Sequence, residues 1–265
     1  MNTNDIREHL LSKSPWVDGE ATVDTVKAGD PTRPVKTVGV TWYAAMDTIR
    51  AAVEMGCDLL VTHEPTFWDH PAAEALLRNE EPALAKQKLL DETGLVVLRC
   101  HDVWDRWPKI GIRGSWAECL ELGEPVLEED KSAWTAIYAA DPQPLEQFAR
   151  HVARCVAPLG QDSIAVLGDP QRMVSRPSIG VGCCGPGKDM IDAGADVLIV
   201  CYDGVSYWQG CERFVELGAA VICMEHGTTE IPGLMNLANY LGETFSELAV
   251  HYIDKHPKPW TVTSG

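Results

Sequence analysis

Basic residues are scarce in this chain: 22 Lys and Arg stand against 39 Asp and Glu, a formal net charge of -17 at pH 7. Sequence-independent binding to nucleic acid depends on neutralising phosphates with Lys and Arg, so no nucleic-acid partner is expected. Also missing is any apolar run of the length needed to cross a bilayer, and Met1-Asn2-Thr3-Asn4-Asp5 has neither the basic start nor the apolar core of a signal peptide. The expectation is a cytoplasmic protein without a membrane partner. The nine cysteines form no C-x-x-C pair of the zinc-ribbon kind, and their odd number and frequent placement in apolar runs argue for buried, reduced thiols. Cys183-Cys184, beside Gly185-Pro186-Gly187, reads either as a redox-active thiol pair or as a strand end followed by a turn. Low-complexity segments and short-period repeats are absent.

What is present is a chain of 265 residues, 45% apolar, enough for one large domain or two packed lobes. Apolar runs alternate with amphipathic stretches. Strands are predicted over Val35–Tyr43, Cys57–Thr62 and Leu95–Cys100, with helices over Ala44–Met55 and Ala72–Glu92 between them. A stretch containing Pro, Glu and Gly, Leu122–Lys131, marks a boundary between lobes. Beyond it, Ala133–Ala140, Ser163–Leu167, Ser178–Cys183, Asp196–Cys201, Ala219–Met224 and Leu248–Ile253 read as strands, and Pro144–Cys155, Val205–Leu217 and Thr229–Phe245 as helices. Such alternation favours α/β architecture with mostly parallel sheets flanked by helices.

Three of the strand-like runs end in acid and histidine clusters: His63-Glu64 after Cys57–Thr62, His101-Asp102-x-x-Asp105 after Leu95–Cys100, and Glu225-His226-x-x-x-Glu230 after Ala219–Met224. In an open α/β sheet, ligands bind beyond the carboxyl ends of parallel strands, so remote segments can pool side chains at one sheet edge. Imidazoles mixed with carboxylates suit divalent transition metals, and surplus carboxylates allow one to bridge two ions. Each cluster has a plainer reading. His63-Glu64-Pro65 is also a polar loop after a buried strand, His101-Asp102 an Asx-turn, and Glu230 a carboxylate answering a helix dipole. The agreement of three clusters favours metal. Adjacent residues on an extended segment point to opposite sides, so His63 and Glu64 are expected to address two different ions. Gly227 and Pro232 place the start of the last helix near Thr228 or Thr229, with His226 at the strand end and Glu230 just inside the helix.

At these residues the chain resembles the Nif-three-like dinuclear metal-centre proteins, also called GTP cyclohydrolase I type 2 homologues. The matching segments are Leu59-Leu60-Val61-Thr62-His63-Glu64-Pro65, His101-Asp102-Val103-Trp104-Asp105 and Glu225-His226-Gly227-Thr228-Thr229-Glu230, in the family's order and spacing. The resemblance implies a Nif-three-like fold over 1–265, with lobes of 1–121 plus 178–265 and an inserted segment 122–177. It implies two divalent metal ions per chain, of Zn, Fe, Mn, Ni or Mg, held by His63, Glu64, Asp105, His226 and a bridging Glu230. His101 then stands as an outer or catalytic group, and His101 and Glu230 as the residues that serve catalysis. Glu64 replaces the family's usual second histidine, which gives one ion the all-oxygen set Glu64, Asp105 and Glu230, and the other His63, His226 and Glu230. A homo-oligomer, a hexamer, is implied as well, and a hydrolase acting on a small nucleotide-like or phosphoester substrate. A non-catalytic metal-loaded scaffold is the competing reading.

Arg99, Arg106 and Lys109 are the candidate cations for a phosphorylated substrate, Trp68, Trp104, Trp107 and Trp208 are either ring-stacking surfaces or core, and Gly185-Pro186-Gly187-Lys188 is a turn with a weak phosphate option.

Overall fold

The computed structural model describes residues 1–68, 78–128 and 134–262. The chain divides into two compact units, the first built from Met1–Trp107 with Leu234–Pro257 and the second from Pro108–Gly233 with the segment from Lys258 onward. In the first unit, Asn2 and Asp5 exchange side-chain and backbone hydrogen bonds in a capping box that starts the helix Thr3–Ser12, whose Ile6 and Leu10 are buried. Strands β1 (Val26–Ala28), β2 (Thr37–Thr41), β3 (Leu59–Thr62) and β4 (Val96–Arg99) follow, with helices Met46–Glu54 and Glu81–Thr93 between the last three. Every residue of β3 and β4 is buried, as expected of strands covered on both faces.

The second unit contributes β5 (Pro125–Glu128), β6 (Ala136–Tyr138), β7 (Gln143–Pro144), β8 (Ala165–Leu167), β9 (Met173–Val174), β10 (Pro177–Ile179), β11 (Val197–Cys201) and β12 (Ala220–Met224). The helix Leu145–Val156 buries Leu145, Phe148, Ala149, Val152 and Val156, a stripe at helical spacing, in one core cluster of this unit. Strands β11 and β12 divide their side chains by alternation. Val197, Ile199, Ala220, Ile222 and Met224 join that cluster, while Leu198, Val200, Val221 and Cys223 join a second one. The chain re-enters the first unit within the helix His226–Thr244 and adds β13 (Ala249–Tyr252).

The first sheet has the order β1-β4-β3-β2-β13, with β4, β3, β2 and β13 parallel and β1 antiparallel at the edge. The second has the order β5-β6-β10-β11-β12-β8, in which only β10, β11 and β12 run parallel. The fold is therefore α/β with one mostly parallel sheet and one mixed sheet.

The structure departs from the sequence-based expectations in several places. The three cluster-bearing runs do not share one sheet: β3 and β4 belong to the first and β12 to the second. The units part at Trp107/Pro108, not within Leu122–Lys131. Pro125–Glu128 pairs with Ala136–Tyr138 as an edge strand, which ties this stretch to the second sheet. Residues 178–233 accordingly group with 108–177 and not with 1–121, because β10, β11 and β12 are hydrogen-bonded into the sheet that holds β6 and β8. Val205–Leu217 forms a π-helical turn, Tyr207–Glu212, before the α-helical Arg213–Glu216. The helix expected over Ala72–Glu92 is seen as Glu81–Thr93, and the portion 69–77 lies outside the described residues.

Candidate metal centre

In the first unit, β3 and β4 are parallel neighbours in register, Thr62 beside Arg99, so the segments that follow them leave the same sheet edge side by side. The strand β3 stops at Thr62 because the next amides turn away: His63 N–H bonds to the Thr41 and Trp42 carbonyls, and Glu64 N–H to that of Trp42. His63 and Glu64 thus occupy a bend. Their ligand atoms and one of His101 lie within 4.8 Å of one another.

His63 is fully buried. Its Nδ1 is 3.0 Å from the Cys100 carbonyl, which as an acceptor fixes the proton on Nδ1 and turns Nε2 towards Asp105 Oδ1, 3.2 Å away. Asp105 is itself only 2% exposed, and its Oδ1 accepts no hydrogen bond among the described residues. A buried carboxylate oxygen left open beside an imidazole nitrogen is what a divalent cation requires, and it is otherwise costly. Asp105 Oδ2 lies 3.2 Å from His101 Nδ1, and Asp102 Oδ1 lies 3.0 Å from the same nitrogen. The His63 and His101 rings stack with centroids 4.7 Å apart.

Burial works against a charged His101, but the Asp105 carboxylate and the hydrogen bond to Asp102 prevail and raise its pKa. Burial likewise opposes ionisation of Asp102, yet hydrogen bonds from His101 and Thr22 hold its carboxyl below the usual carboxylate range. A folded pKa above the ordinary histidine value means that the His101 contribution to stability is complete below that ordinary value and is lost as pH rises through the folded one. Asp105→Asn is therefore expected to lower the His101 pKa in the metal-free protein, and to cost more stability on the acid side of the histidine range than on the alkaline side. NMR titration of His101 with denaturation at both pH extremes tests this; an unmoved His101 would refute the pairing.

One organising residue escapes a motif-based reading. Asp24, 3% exposed, accepts backbone N–H groups from His101 (2.6 Å), Asp102 (3.1 Å) and Val103 (2.9 Å), so a carboxylate remote in sequence caps the single helical turn Asp102–Asp105. Burial raises its pKa against the pull of those amides. The sequence signal is slight: Thr22 and Asp24 flank Val23 just before β1. On the other side of the ligand loop, Lys86 donates to the Thr66 carbonyl and to Tyr43 Oη, each at 2.7 Å, and its Nζ sits 3.9 Å from the centre of the Trp68 ring. It pins the backbone just after His63-Glu64-Pro65.

In the second unit the same grammar recurs. Strands β10, β11 and β12 are parallel neighbours, and their ends deliver Gly182, Asp203 and His226 respectively. The helix begins at His226 itself, one residue after the strand-end Glu225, which corrects the start expected near Thr228. Thr229 Oγ1 bonds to the His226 carbonyl at 2.7 Å, while Gln161 accepts from Glu225 N–H and Thr228 Oγ1, so the first turn is held despite Gly227. Pro232 is accommodated inside the helix, one turn beyond Thr228. His226 and Glu230 therefore do sit at i, i+4 on one face, with Nε2 to Oε1 at 3.0 Å. His226 Nδ1 meets Asp203 Oδ2 at 2.9 Å. The hydrogen bond from His226 is the main influence that lowers the Asp203 pKa.

Each unit thus offers an imidazole whose Nδ1 faces an oxygen and whose Nε2 faces a buried carboxylate oxygen about one hydrogen bond away. Gly182 closes the second pair. At φ +46° it lies where an added Cβ would collide with Glu230 Oε1 and His226 Nε2. Cys201, Asp203 and His226 also bring ligand atoms within 4.8 Å of one another, with the Cys201 thiol donating to the Gly182 carbonyl at 3.1 Å. Asp203 escapes a reading of the sequence although it follows an apolar run as the other ligands do, because no histidine accompanies it.

Other sequence-read candidates have different places. Arg99 is 1% exposed and bonded to the His63 carbonyl at 2.9 Å, and Arg106 donates to the Trp16 carbonyl at 2.6 Å. Neither is a surface cation awaiting a triphosphate. Trp104 is fully buried, with ring contacts to Trp107 and Tyr240, whereas Trp208 is 73% exposed. Lys188 pairs with Asp192 one turn along its own five-residue helix, which removes it from the Gly185-Pro186-Gly187 turn. All nine cysteines are free thiols, five of them buried, while Cys183 and Cys184 are exposed. No helix among the described residues is long and apolar enough to cross a membrane.

Comparison with known proteins agrees with this architecture. The chain is 24% identical over 264 residues to a Chlamydia pneumoniae protein named GTP cyclohydrolase 1 type 2 homolog, covering 96% of this chain and 98% of that one. A Bacillus cereus protein related to NIF3 superposes with a TM-score of 0.81 at 13% identity over 99% of both chains. A Thermus thermophilus protein of known structure does so with a TM-score of 0.70 at 19% identity, over 98% of this chain and all of its own. These likenesses show the fold. A family model matches residues 1–259, and with it the chain belongs to the Duf34/NIF3 (NGG1p interacting factor 3) family.

Proposed function

We propose that this protein is a divalent-metal-dependent hydrolase whose metal ligands are His63, Glu64 and Asp105 in the first unit and His226 and Glu230 in the second. The observation that carries the reading lies inside each unit: an imidazole Nε2 set 3.0 to 3.2 Å from a buried carboxylate oxygen, in one case with that oxygen accepting no hydrogen bond. Imidazole plus carboxylate is a donor set for Zn, Fe, Mn or Ni. Two bound divalent ions supply Lewis-acid polarisation and an activated water for hydrolysis.

The residues of the chain divide the remaining work. Cys100 O and Asp203 set the tautomers of His63 and His226 so that both present Nε2. His101, held between Asp102 and Asp105, which favour its charged form, is placed to give a proton to a leaving group. Arg99 and Arg106 are engaged internally, so neither is left to meet the charge of a phosphorylated substrate. The name of the Chlamydia relative makes a purine nucleotide the first substrate to try, and the family resemblance makes a homohexamer the assembly to look for.

The test is to measure metal per chain and then screen nucleotides and phosphoesters with Mn, Fe and Zn. Turnover that requires the ion and falls by on the order of a hundredfold or more in Glu230→Gln at unchanged folding supports the reading. A fully loaded protein silent across those substrate classes points instead to a non-catalytic, metal-loaded scaffold.

A further inference from the structure

Glu64 stands in the ligand loop beside a charge that cannot leave. Arg99 Nη2 lies 3.8 Å from Glu64 Oε2, with the two side chains 1% and 14% exposed. The guanidinium is anchored by its Nε, which donates to the His63 carbonyl at 2.9 Å, and its Nη2 makes no hydrogen bond among the described residues. Arginine keeps its proton in proteins, so this is a permanent buried cation. A buried guanidinium needs compensating negative charge, and in the folded chain Glu64 is the nearest carboxylate paired with it. A divalent ion on Glu64 must therefore share that carboxylate with a fixed cation a few ångströms away, in a site with little water to screen the repulsion. His63 itself meets Arg99 only through its backbone carbonyl, and the carboxylate its Nε2 faces, Asp105, interacts with Arg99 less than Glu64 does.

We propose that Arg99 claims Glu64 as its counter-ion and so makes the two metal positions unequal, one divalent ion bound tightly by the histidine-bearing ligands and a second, on Glu64, bound weakly. This deepens the metal-hydrolase reading and rests on it. The guanidinium supplies part of the positive charge that a second tightly held ion would bring, and Arg99 acts as a positioning residue that sets ion stoichiometry.

Titration of the full-length, metal-stripped protein with Mn2+, followed by calorimetry and by electron paramagnetic resonance, reads this without any activity assay. The wild type is expected to bind one equivalent tightly and a second on the order of a hundredfold more weakly. Arg99→Met, which keeps apolar bulk but removes the charge, should strengthen the second step at least tenfold and leave the first unchanged. Glu64→Gln should abolish the second step alone, and it serves as the independent variant if Arg99→Met fails to fold. Two ions of equal affinity in the wild type, or loss of the tight ion in Glu64→Gln, would overturn the inference. A wild type that binds no Mn2+ at all removes the metal-hydrolase reading and this inference together.

Discussion

If His226 and Glu230 are metal ligands as proposed, Gly182→Ala is expected to abolish divalent-ion binding there while leaving the protein folded. The glycine sits at φ +46°, a left-handed conformation that costs a residue with a Cβ about 1 to 2 kcal/mol. The new methyl group would also meet Glu230 Oε1 and His226 Nε2 head on. Neither neighbour yields easily. His226 is tied through Nδ1 to Asp203, and Glu230 is 2% exposed one turn into its helix. Displacement of either breaks the 3.0 Å pair, and because ligands knocked out of their orientation lose affinity steeply, the expected loss is on the order of a hundredfold. The stability loss should stay near 1 to 3 kcal/mol, roughly what overpacking costs elsewhere. Metal titration with chemical denaturation measures both. An alanine variant that binds metal as the wild type does would show that this imidazole and carboxylate are not ligands.

The largest effect on folding is expected from Trp104→Ala. Trp104 is fully buried within the His101–Asp105 segment, its ring 4.9 Å from that of Trp107 and 5.6 Å from that of Tyr240. Truncating a buried tryptophan to alanine removes apolar contact area and leaves a cavity, which together cost about 3 to 5 kcal/mol. The same side chain anchors the turn that carries Asp105, so metal binding should weaken as well. Urea denaturation of the metal-free protein isolates the packing effect. A loss below about 1 kcal/mol would mean that the site collapses around the gap and that the aromatic cluster does not fix the ligand loop.

The positions of most elements are legible in the sequence because the signals are local. The runs at Cys57–Thr62, Leu95–Cys100 and Ala219–Met224 contain β3, β4 and β12, and all the residues of those strands are buried. Their terminal His63, His101 and His226 emerge where the apolar run stops. The helix Thr3–Ser12 escapes such a reading although Asn2 and Asp5 spell its capping box, because its apolar positions are few. The early start of the helix at His226 is hidden too, since Gly227 and Pro232 weigh against it locally. Gln161, 8% exposed and far away in the chain, supplies the hydrogen bonds that hold it.

By itself, the sequence determined the α/β alternation, the strand-end placement of the imidazoles and carboxylates, and through motif order the family. Those follow from side-chain period and residue chemistry, both readable along the chain. Only the tertiary structure decided that the clusters divide between two sheets, that Asp24 caps the His101 turn, that Asp203 orients His226 and that Arg99 lies against Glu64. Each of those depends on which strands become hydrogen-bonded neighbours, and pairing of that kind is set by the burial of whole faces in the folded chain, which no local pattern encodes.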